Sequence, residues 1–285
     1  MDFSTQHRRA EALLQLHRPG DPVVLVNAWD VVSARLVERA GARAIATTSA
    51  GVAWALGYLD GERISRREML DVVERIARAV SLPVTADLEA GYGPTPMHVA
   101  ETVRLAIDAG AVGMNLEDSI ATVAERAADP LYSTEHAVER VAAARAAANT
   151  AGIPFVINAR TDVFLRQVGD PATRLERSIE RANAHRAAGA DSLFVPGKLE
   201  LEQIRTLARE INGPLNVLAL PGGPSVQELA RVGVGRISVG GGAARAALAA
   251  LARGAADAYQ HARLDSLVEH ALPSAEINAL FQADA

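Results

Sequence analysis

Five times in this chain a stretch of helical period ends on a glycine and gives way at once to a short apolar run. The phrases are ERAGARAIAT, IDAGAVGMNLE, NTAGIPFVINAR, RAAGADSLFV and ARVGVGRISVG, with Gly41, Gly110, Gly152, Gly189 and Gly233 at the junctions. A glycine just past a helix end supplies the left-handed residue that closes it, so each phrase reads as helix, cap and strand. Counting every such run gives eight: VVLVNA from Val23, RAIATT from Arg43, PVTADLE from Pro83, VGMNLED from Val112, PFVINAR from Pro154, DSLFVPG from Asp191, LNVLAL from Leu215 and RISVGG from Arg236. Aliphatic strands that alternate with helices are buried on both faces and run parallel. Eight such units within 285 residues favour an α/β fold of the (β/α)8 TIM barrel type over an open doubly wound sheet. The whole chain, residues 1–285, is then one barrel domain. A leading helix from Thr5 to Leu16 is broken by Pro19-Gly20, and from about residue 243 to 285 the chain reads as a helical extension, with a helix from Leu264. That is more helix than an eighth unit needs, and it suits packing on the barrel or on another subunit.

In such a barrel the chemistry belongs to the C-terminal ends of the strands. Those ends carry Asn27, Trp29 and Asp30; Thr47 to Gly51; Asp87 and Glu89; Glu117 and Asp118; Asn158 and Arg160 to Asp162; Pro196 to Lys198; Leu220 to Pro224; and Gly240 to Gly242. Asp87 and Glu89 sit two apart, so an extended backbone sends both carboxylates to one side. Unpaired, they would repel until one took a proton. A hard divalent ion removes that conflict: Mg²⁺ is held by one or two carboxylates, with water and substrate oxygens completing its shell. Glu117 on the next strand supplies a third acid. A lone Asp-x-Glu reads equally as a polar strand end capped by solvent, and the glycines flanking Tyr92 make the turn that follows tight enough for a ligand to approach the backbone. The chain has no cysteine, which excludes disulfides, thiolate metal sites and a cysteine nucleophile. Its histidines lie in helical or terminal stretches, so an oxygen-only site favours Mg²⁺ or Mn²⁺ over zinc. The net charge of −5 comes with interspersed signs and no basic run, against nucleic acid or anionic membranes as partners. No window suits a transmembrane span or a secretion signal, which points to the cytoplasm.

The phrases NAWDVVSARLVERAGARAIATTSAGVAWALGYLDGE, PVTADLEAGYG, GAVGMNLEDS and INARTD resemble those of the isocitrate lyase and phosphoenolpyruvate mutase superfamily, whose members include 2-methylisocitrate lyases and carboxyphosphonoenolpyruvate mutase. The resemblance runs along nearly the whole chain. It implies a barrel whose last helix is swapped between subunits of a homodimer or homotetramer, and Mg²⁺ or Mn²⁺ dependence. The substrates it implies are small 2-oxo or 2-hydroxy acids, often dicarboxylates, that pass through an enolate. By the same resemblance Asp87 binds the metal directly, while Glu89 and Glu117 reach it largely through water. Asp60 orients metal-bound water or the reacting group. Thr48, Ser49 and the amides of Ala50 and Gly51 grip the substrate carboxylate beside Trp29, and Arg160 neutralises the enolate oxygen or carboxylate. Each also has a plainer reading: Asp60 as a turn cap, Thr48 and Ser49 as partners of a strand end, Arg160 as a structural partner of Asp162 or Glu117.

The departures matter as much. Lyases of this superfamily carry a Lys-Lys/Arg-Cys-Gly-His loop after strand four, and mutases a Lys-x-x-Pro-Lys pattern. This chain has EDSIATVAERAADPLYS instead, a lid from Ser119 to Ser133 without a recognisable acid or base. Pro196 and about Leu220 stand where tricarboxylate-cleaving relatives place Glu and Asn. Lys198 is a candidate for a distal carboxylate, and Gly240 to Gly242 for a phosphate or a tight turn. The leading expectation is a Mg²⁺-dependent lyase or decarboxylase. The alternatives are P–C bond chemistry on phosphonopyruvate, and a 2-oxo-acid binding protein, for 2-oxoglutarate or oxalate for example, with little catalysis.

Overall fold

A computed structural model describes residues 2–120 and 130–282. Its eight strands are β1 (Val23–Leu25), β2 (Ile45–Ala46), β3 (Val84–Asp87), β4 (Gly113–Glu117), β5 (Val156–Arg160), β6 (Ser192–Val195), β7 (Leu215–Leu218) and β8 (Arg236–Ser238). All pair in parallel, in the order β1-β8-β7-β6-β5-β4-β3-β2. Closure between β1 and β2 is thin: Ala28 donates to the Ala46 carbonyl at 2.8 Å and accepts from Thr48 at 2.9 Å. The result is the expected (β/α)8 barrel, nearly closed. Gly41, Gly110, Gly152, Gly189 and Gly233 all have positive φ, between 68° and 110°, so the helix ends are built as their sequence context dictates.

Before the barrel comes α1 (Phe3–Gln15), N-capped by Asp2. Around it run α2 (Val31–Arg39), α3 (Ser49–Ala55), α4 (Arg66–Ala79), α5 (Pro96–Asp108), α6 (Thr134–Ala151), α7 (Arg174–Ala187), α8 (Leu201–Glu210) and α9 (Val226–Arg231). Capping boxes start α2 at Asp30, α4 at Ser65 and α9 at Ser225, each satisfying two backbone N–H groups that a helix start leaves unpaired. The barrel core is Leu, Ile, Val, Phe and Ala, with Phe155, Ile157, Met114 and Leu13 fully buried.

Its centre is not wholly apolar. Thr85, Asn115, Asn158, Asn216 and Arg236 are buried among those residues. Asn158 Nδ2 donates to Asn115 Oδ1 at 2.8 Å, as does Arg236 at 3.1 Å. Arg236 also lies 3.3 Å from His17 Nε2.

The C-terminal segment departs from the barrel. In α10 (Gly242–His261) only Ala244 and Gly254 are buried. A Cβ on Gly254 would sit 2.3 Å from Leu267 Cδ2, so α10 packs tightly against the short α11 (Asp265–Val268). A last short helix, α12 (Ser274–Ala279), returns to α2 through an Arg39–Glu276 ion pair. The helix read from Leu264 is therefore two short pieces. No described helix is long and apolar enough to cross a membrane.

Candidate active site

At the C-terminal mouth of the barrel is a cavity of about 200 Å³ lined by Asn27, Thr48, Ser49, Ala50, Asp60, Asp87, Asn115, Arg160, Leu165, Phe194, Pro196, Leu218, Ser238, Gly240 and Gly241. A groove of about 290 Å³ between the β6 and β7 loops, with Lys198 and Pro221 in its wall, adjoins it at Leu218, which lines both. The smaller cavity gathers side chains from nearly every strand end, as catalysis in this fold requires.

Asp87 closes β3 and is almost buried. Its Oδ2 accepts from the Ser49 amide at 3.1 Å and hydroxyl at 2.8 Å, and its Oδ1 from Asn115 Nδ2 at 3.2 Å. The Thr47 hydroxyl accepts the Asp87 amide at 2.9 Å. Ser49 thus serves Asp87, and the Gly51 amide turns to the Thr48 hydroxyl at 3.4 Å, which corrects the expectation that all of these donors face a substrate. Of that loop, Thr48, Ser49 and Ala50 reach the cavity wall, while Gly51 lies behind it. Trp29 is also behind: its Cβ would stand 2.9 Å from a Cβ placed on Gly51. Its part is to back the loop, where a direct ligand contact was expected.

Glu89 and Glu117 do not line the cavity either. Glu89 has φ +50° and Tyr92 φ +57°, left-handed conformations that cost a side-chain-bearing residue on the order of 1–3 kcal/mol each and persist only where surroundings enforce them. The enforcement is visible: Glu89 Oε2 accepts from the Glu62 amide at 2.5 Å, and Glu62 Oε1 accepts from the Tyr92 amide at 2.9 Å. The loops after β2 and β3 are latched together through their acids. Glu89 Oε1 is buried without a hydrogen-bond partner among the described residues.

Arg160, at the end of β5, makes both contacts that the plainer reading foresaw. Its guanidinium lies 2.7 Å from Glu117 Oε2, while Nε and Nη2 donate to Asp162 at 2.6 and 2.8 Å. The Ser119 hydroxyl donates to Asp162 Oδ2 at 2.5 Å. Arg181, buried on α7, donates to Asp118 at 2.7 Å, to Thr134 at 3.0 Å and to the Tyr132 carbonyl at 2.8 Å. Both ends of the segment expected to form a lid are therefore fastened to the barrel, with Ile120 donating to the Pro130 carbonyl at 3.0 Å. The lid's own residues 121–129 lie outside the described part of the chain.

The electrostatics of this mouth are one-sided. Burial, then the charges of Asp87, Asp60 and Glu62, push the Glu89 carboxyl up to about 8. Asp60 is raised by burial and by Asp87, against the pull of Arg160. Burial raises Glu117 despite the opposing Arg160. Arg160 is held in its charged form because Asp162, Glu117 and Asp87 outweigh its burial. Among the described residues no three acids or histidines stand close enough to ligate one ion directly, and of Asp87, Glu89 and Glu117 only Asp87, the one expected to bind an ion directly, lines the cavity. The region still fits a hard cation: its donors are all oxygen, burial raises Asp60, Glu89 and Glu117, and one buried carboxylate oxygen of Glu89 is unpartnered among the described residues.

Three further residues escaped the sequence reading. Asn115, Glu62 and Arg236 organise the site, and the signal for Asn115 was present, since it lies two residues before Glu117 on the same strand face. Arg236, fully buried, is lowered to about 10 by burial while Asp87 opposes the shift, so at neutral pH it is a cation set beneath the acids. The Gly240 amide is taken by Asn27 Oδ1 at 2.9 Å, as is the Val239 amide at 3.1 Å. The glycine run is thus a closed turn, and the phosphate alternative loses that donor.

The family model for phosphoenolpyruvate phosphomutase matches residues 13–259. The 2-methylisocitrate lyase of Escherichia coli K12 is 33% identical over 216 residues, 71% of this chain and 70% of that protein. A Burkholderia cenocepacia J2315 structure described as a lyase/mutase is 42% identical with a TM-score of 0.90, covering 99% of this chain and 98% of its own. The structure of 2,3-dimethylmalate lyase, a member of the phosphoenolpyruvate mutase/isocitrate lyase superfamily, is 28% identical with a TM-score of 0.83, covering 97% and 95%.

Proposed function

The chain belongs to the phosphoenolpyruvate phosphomutase family, within a superfamily of lyases and mutases, and from that membership we propose a lyase or decarboxylase dependent on Mg²⁺ or Mn²⁺. Its substrate is a small 2-oxo or 2-hydroxy acid, processed through an enolate. One observation carries the reading: Asp87 and Arg160 line the same 200 Å³ cavity, beside Asp60 and in front of Glu89, whose buried Oε1 has no partner among the described residues.

Asp87 would hold the ion directly, with Glu89 and Glu117, which lie behind the cavity wall, reaching it through water, and Asp60 would meet it from the cavity wall. A bound divalent ion supplies Lewis acidity that stabilises an enolate. The rest falls to the chain's own residues. Arg160 brings positive charge to the wall at which a 2-oxo acid's oxygens would lie, and the Glu117 and Asp162 carboxylates fix its plane, so no reorganisation is needed as charge develops. Ala50, at the start of α3, lines the same space, and an anion there meets the helix dipole favourably. Asn115 holds Asp87 in one rotamer from below. Asp60, raised by burial, is the acid placed to give or take a proton at the cavity wall.

Incubation with Mg²⁺ and 2-methylisocitrate, 2,3-dimethylmalate or oxaloacetate, with pyruvate release followed, is expected to show turnover on at least one. No turnover, together with no Mg²⁺-dependent binding of oxalate, would overturn the reading. The family's phosphomutase membership supports P–C chemistry as the second reading. Phosphorus NMR on phosphonopyruvate decides it, an unchanged spectrum removing it.

The protein also acts as a homo-oligomer on this proposal. Asn27 points into the cavity, so the two-residue period turns Val24 and Val26 to the barrel's outer face, where they are 38% and 41% exposed. The same chain leaves Leu248 and Leu251 of α10 50% and 60% exposed. An uncovered strand and an unpartnered helix in one molecule suit an exchange between two copies.

A further inference from the structure

The cavity walls are chemically unequal. Asp60, Asp87, Asn27, Asn115 and the loop at Ser49 form the polar side, and Leu165, Phe194, Pro196 and Leu218 face them. Phe194 and Pro196 are buried, so that side is fixed. Leu165 is 41% exposed and stands at the rim. Arg160 is the one cation among the described residues that line the cavity, and its guanidinium is already engaged by Glu117 and Asp162. Its Cζ also lies 5.8 Å from the centre of the Phe194 ring. Lys198, the candidate for a distal carboxylate, is exposed and lines the adjoining groove between the β6 and β7 loops, which shares Leu218 with the cavity, and does not line the cavity itself.

We infer that the wall of Leu165, Phe194, Pro196 and Leu218 receives an uncharged hydrocarbon substituent carried on C3 of the acid. The inference rests on the proposed reading of the polar side, which fixes the C1 carboxylate and the 2-oxo group and so sends C3 and its substituents toward the apolar side. A second carboxylate pressed onto that wall would lose its water and meet only the Ser238 hydroxyl at the edge of the wall and an Arg160 already bound to Glu117 and Asp162, a costly arrangement for an ion in a protein. It would also face Asp60 and Asp87 across a small space. A methylene there gains instead, at about fourfold in affinity for each one buried. The substrate class is accordingly a 2-oxo or 2-hydroxy acid with an alkyl or aryl branch at C3. Any second carboxylate turns to the open mouth.

Calorimetry in Mg²⁺ with pyruvate, 2-oxobutanoate and 2-oxopentanoate tests the wall directly, together with 2-oxoglutarate against its uncharged isostere 5-methyl-2-oxohexanoate. Affinity is expected to rise about fourfold per methylene along the series, and the isostere to bind at least tenfold tighter than 2-oxoglutarate. Leu218→Lys and, at the exposed rim, Leu165→Lys are each expected to reverse that last preference. A flat series, tighter binding of 2-oxoglutarate by the wild type, or an unchanged ranking in both folded variants would overturn the inference and leave the metal and carboxylate half standing. No binding of oxalate or of any 2-oxo acid would overturn both.

Discussion

Arg160 is bonded to two carboxylates at once, and its removal has two separable consequences. Arg160→Met leaves Glu117 and Asp162 buried without their main counter-charge, a loss on the order of 3–5 kcal/mol for a broken buried pair; urea denaturation should show it as a lower midpoint. At a pH where the variant is still folded, Mg²⁺-dependent oxalate binding should fall at least tenfold, and retention of both stability and binding would rule out the role given to this residue. The buried histidines make a second prediction. Neither ring nitrogen of His185 has a partner among the described residues, and burial lowers it to about 4; burial and Arg236 lower His17 to about 3. The unfolded chain takes up these protons near pH 6.5, while the folded chain resists them. Unfolding therefore binds protons, and stability falls as pH drops from about 6.5 toward 4. His185→Leu should flatten part of that slope in denaturation curves collected between pH 7 and 4.5, and a slope equal to wild type would refute the assignment. The sequence reading named Asp60, Asp87, Arg160, Thr48, Ser49 and Ala50, and the structure brings them to one cavity; all but Asp60, which follows α3 and came from the family resemblance, stand at or just past a strand end. That reading passed over Asn115 and Arg236 because a polar residue inside an apolar run reads as an interruption, when in this barrel it is the floor of the site.

At the scale of elements, the strand count was legible because each βα unit repeats the same local code, a capped helix followed by a doubly buried strand, and local code survives without tertiary knowledge. The depth of the strand-end residues was not legible. Trp29 stands at the right end of its strand, yet it does not line the cavity, and its Cβ lies against Gly51 of α3. Gly51 is the hinge of that arrangement, since a Cβ there would lie 2.7 Å from Thr48 Cγ2 and 2.9 Å from Trp29 Cβ. Those distances are below contact, and the neighbours are a β-branched side chain and an aromatic stem with little freedom to yield. Gly51→Ala is thus expected to cost about 1–3 kcal/mol by overpacking and to push the start of α3 into the cavity. Oxalate affinity should drop more than tenfold while the circular dichroism of the barrel persists. Unchanged affinity in the alanine variant would show that the loop has slack that these contacts deny. The acid latch between Glu62, Glu89 and Tyr92 was equally hidden, since no local pattern announces that two acids will each hold a backbone amide of the other's loop.

For the molecule as a whole, the question is what covers its eighth sector. Seven helices, α2 and α4 to α9, flank the sheet, but α10 packs on its own short neighbour and buries only Ala244 and Gly254. Val24 on β1 and Val26 just past its end stay open, as do Leu248, Leu251, Tyr259 and Leu264 on the C-terminal segment. A stable interface between protein chains removes about 1,200–2,000 Å² in total, and two reciprocal exchanges of a 20-residue helix onto an uncovered strand reach that scale with apolar surface at both ends. The monomer, by contrast, would hold these groups in water, and their burial at roughly 25 cal/mol per Å² favours association. The wild-type protein is therefore expected to run as a dimer or a multiple of it in light scattering at micromolar concentration. Leu248→Glu with Leu251→Glu should shift it toward monomer, because two buried charges without partners would replace the apolar stripe. The same pair should lower the melting temperature in a concentration-dependent way, since dissociation and unfolding are then linked. A wild-type monomer at these concentrations, or a double variant that stays dimeric, would mean that α10 is a free appendage. The open face of β1 would then need some other cover.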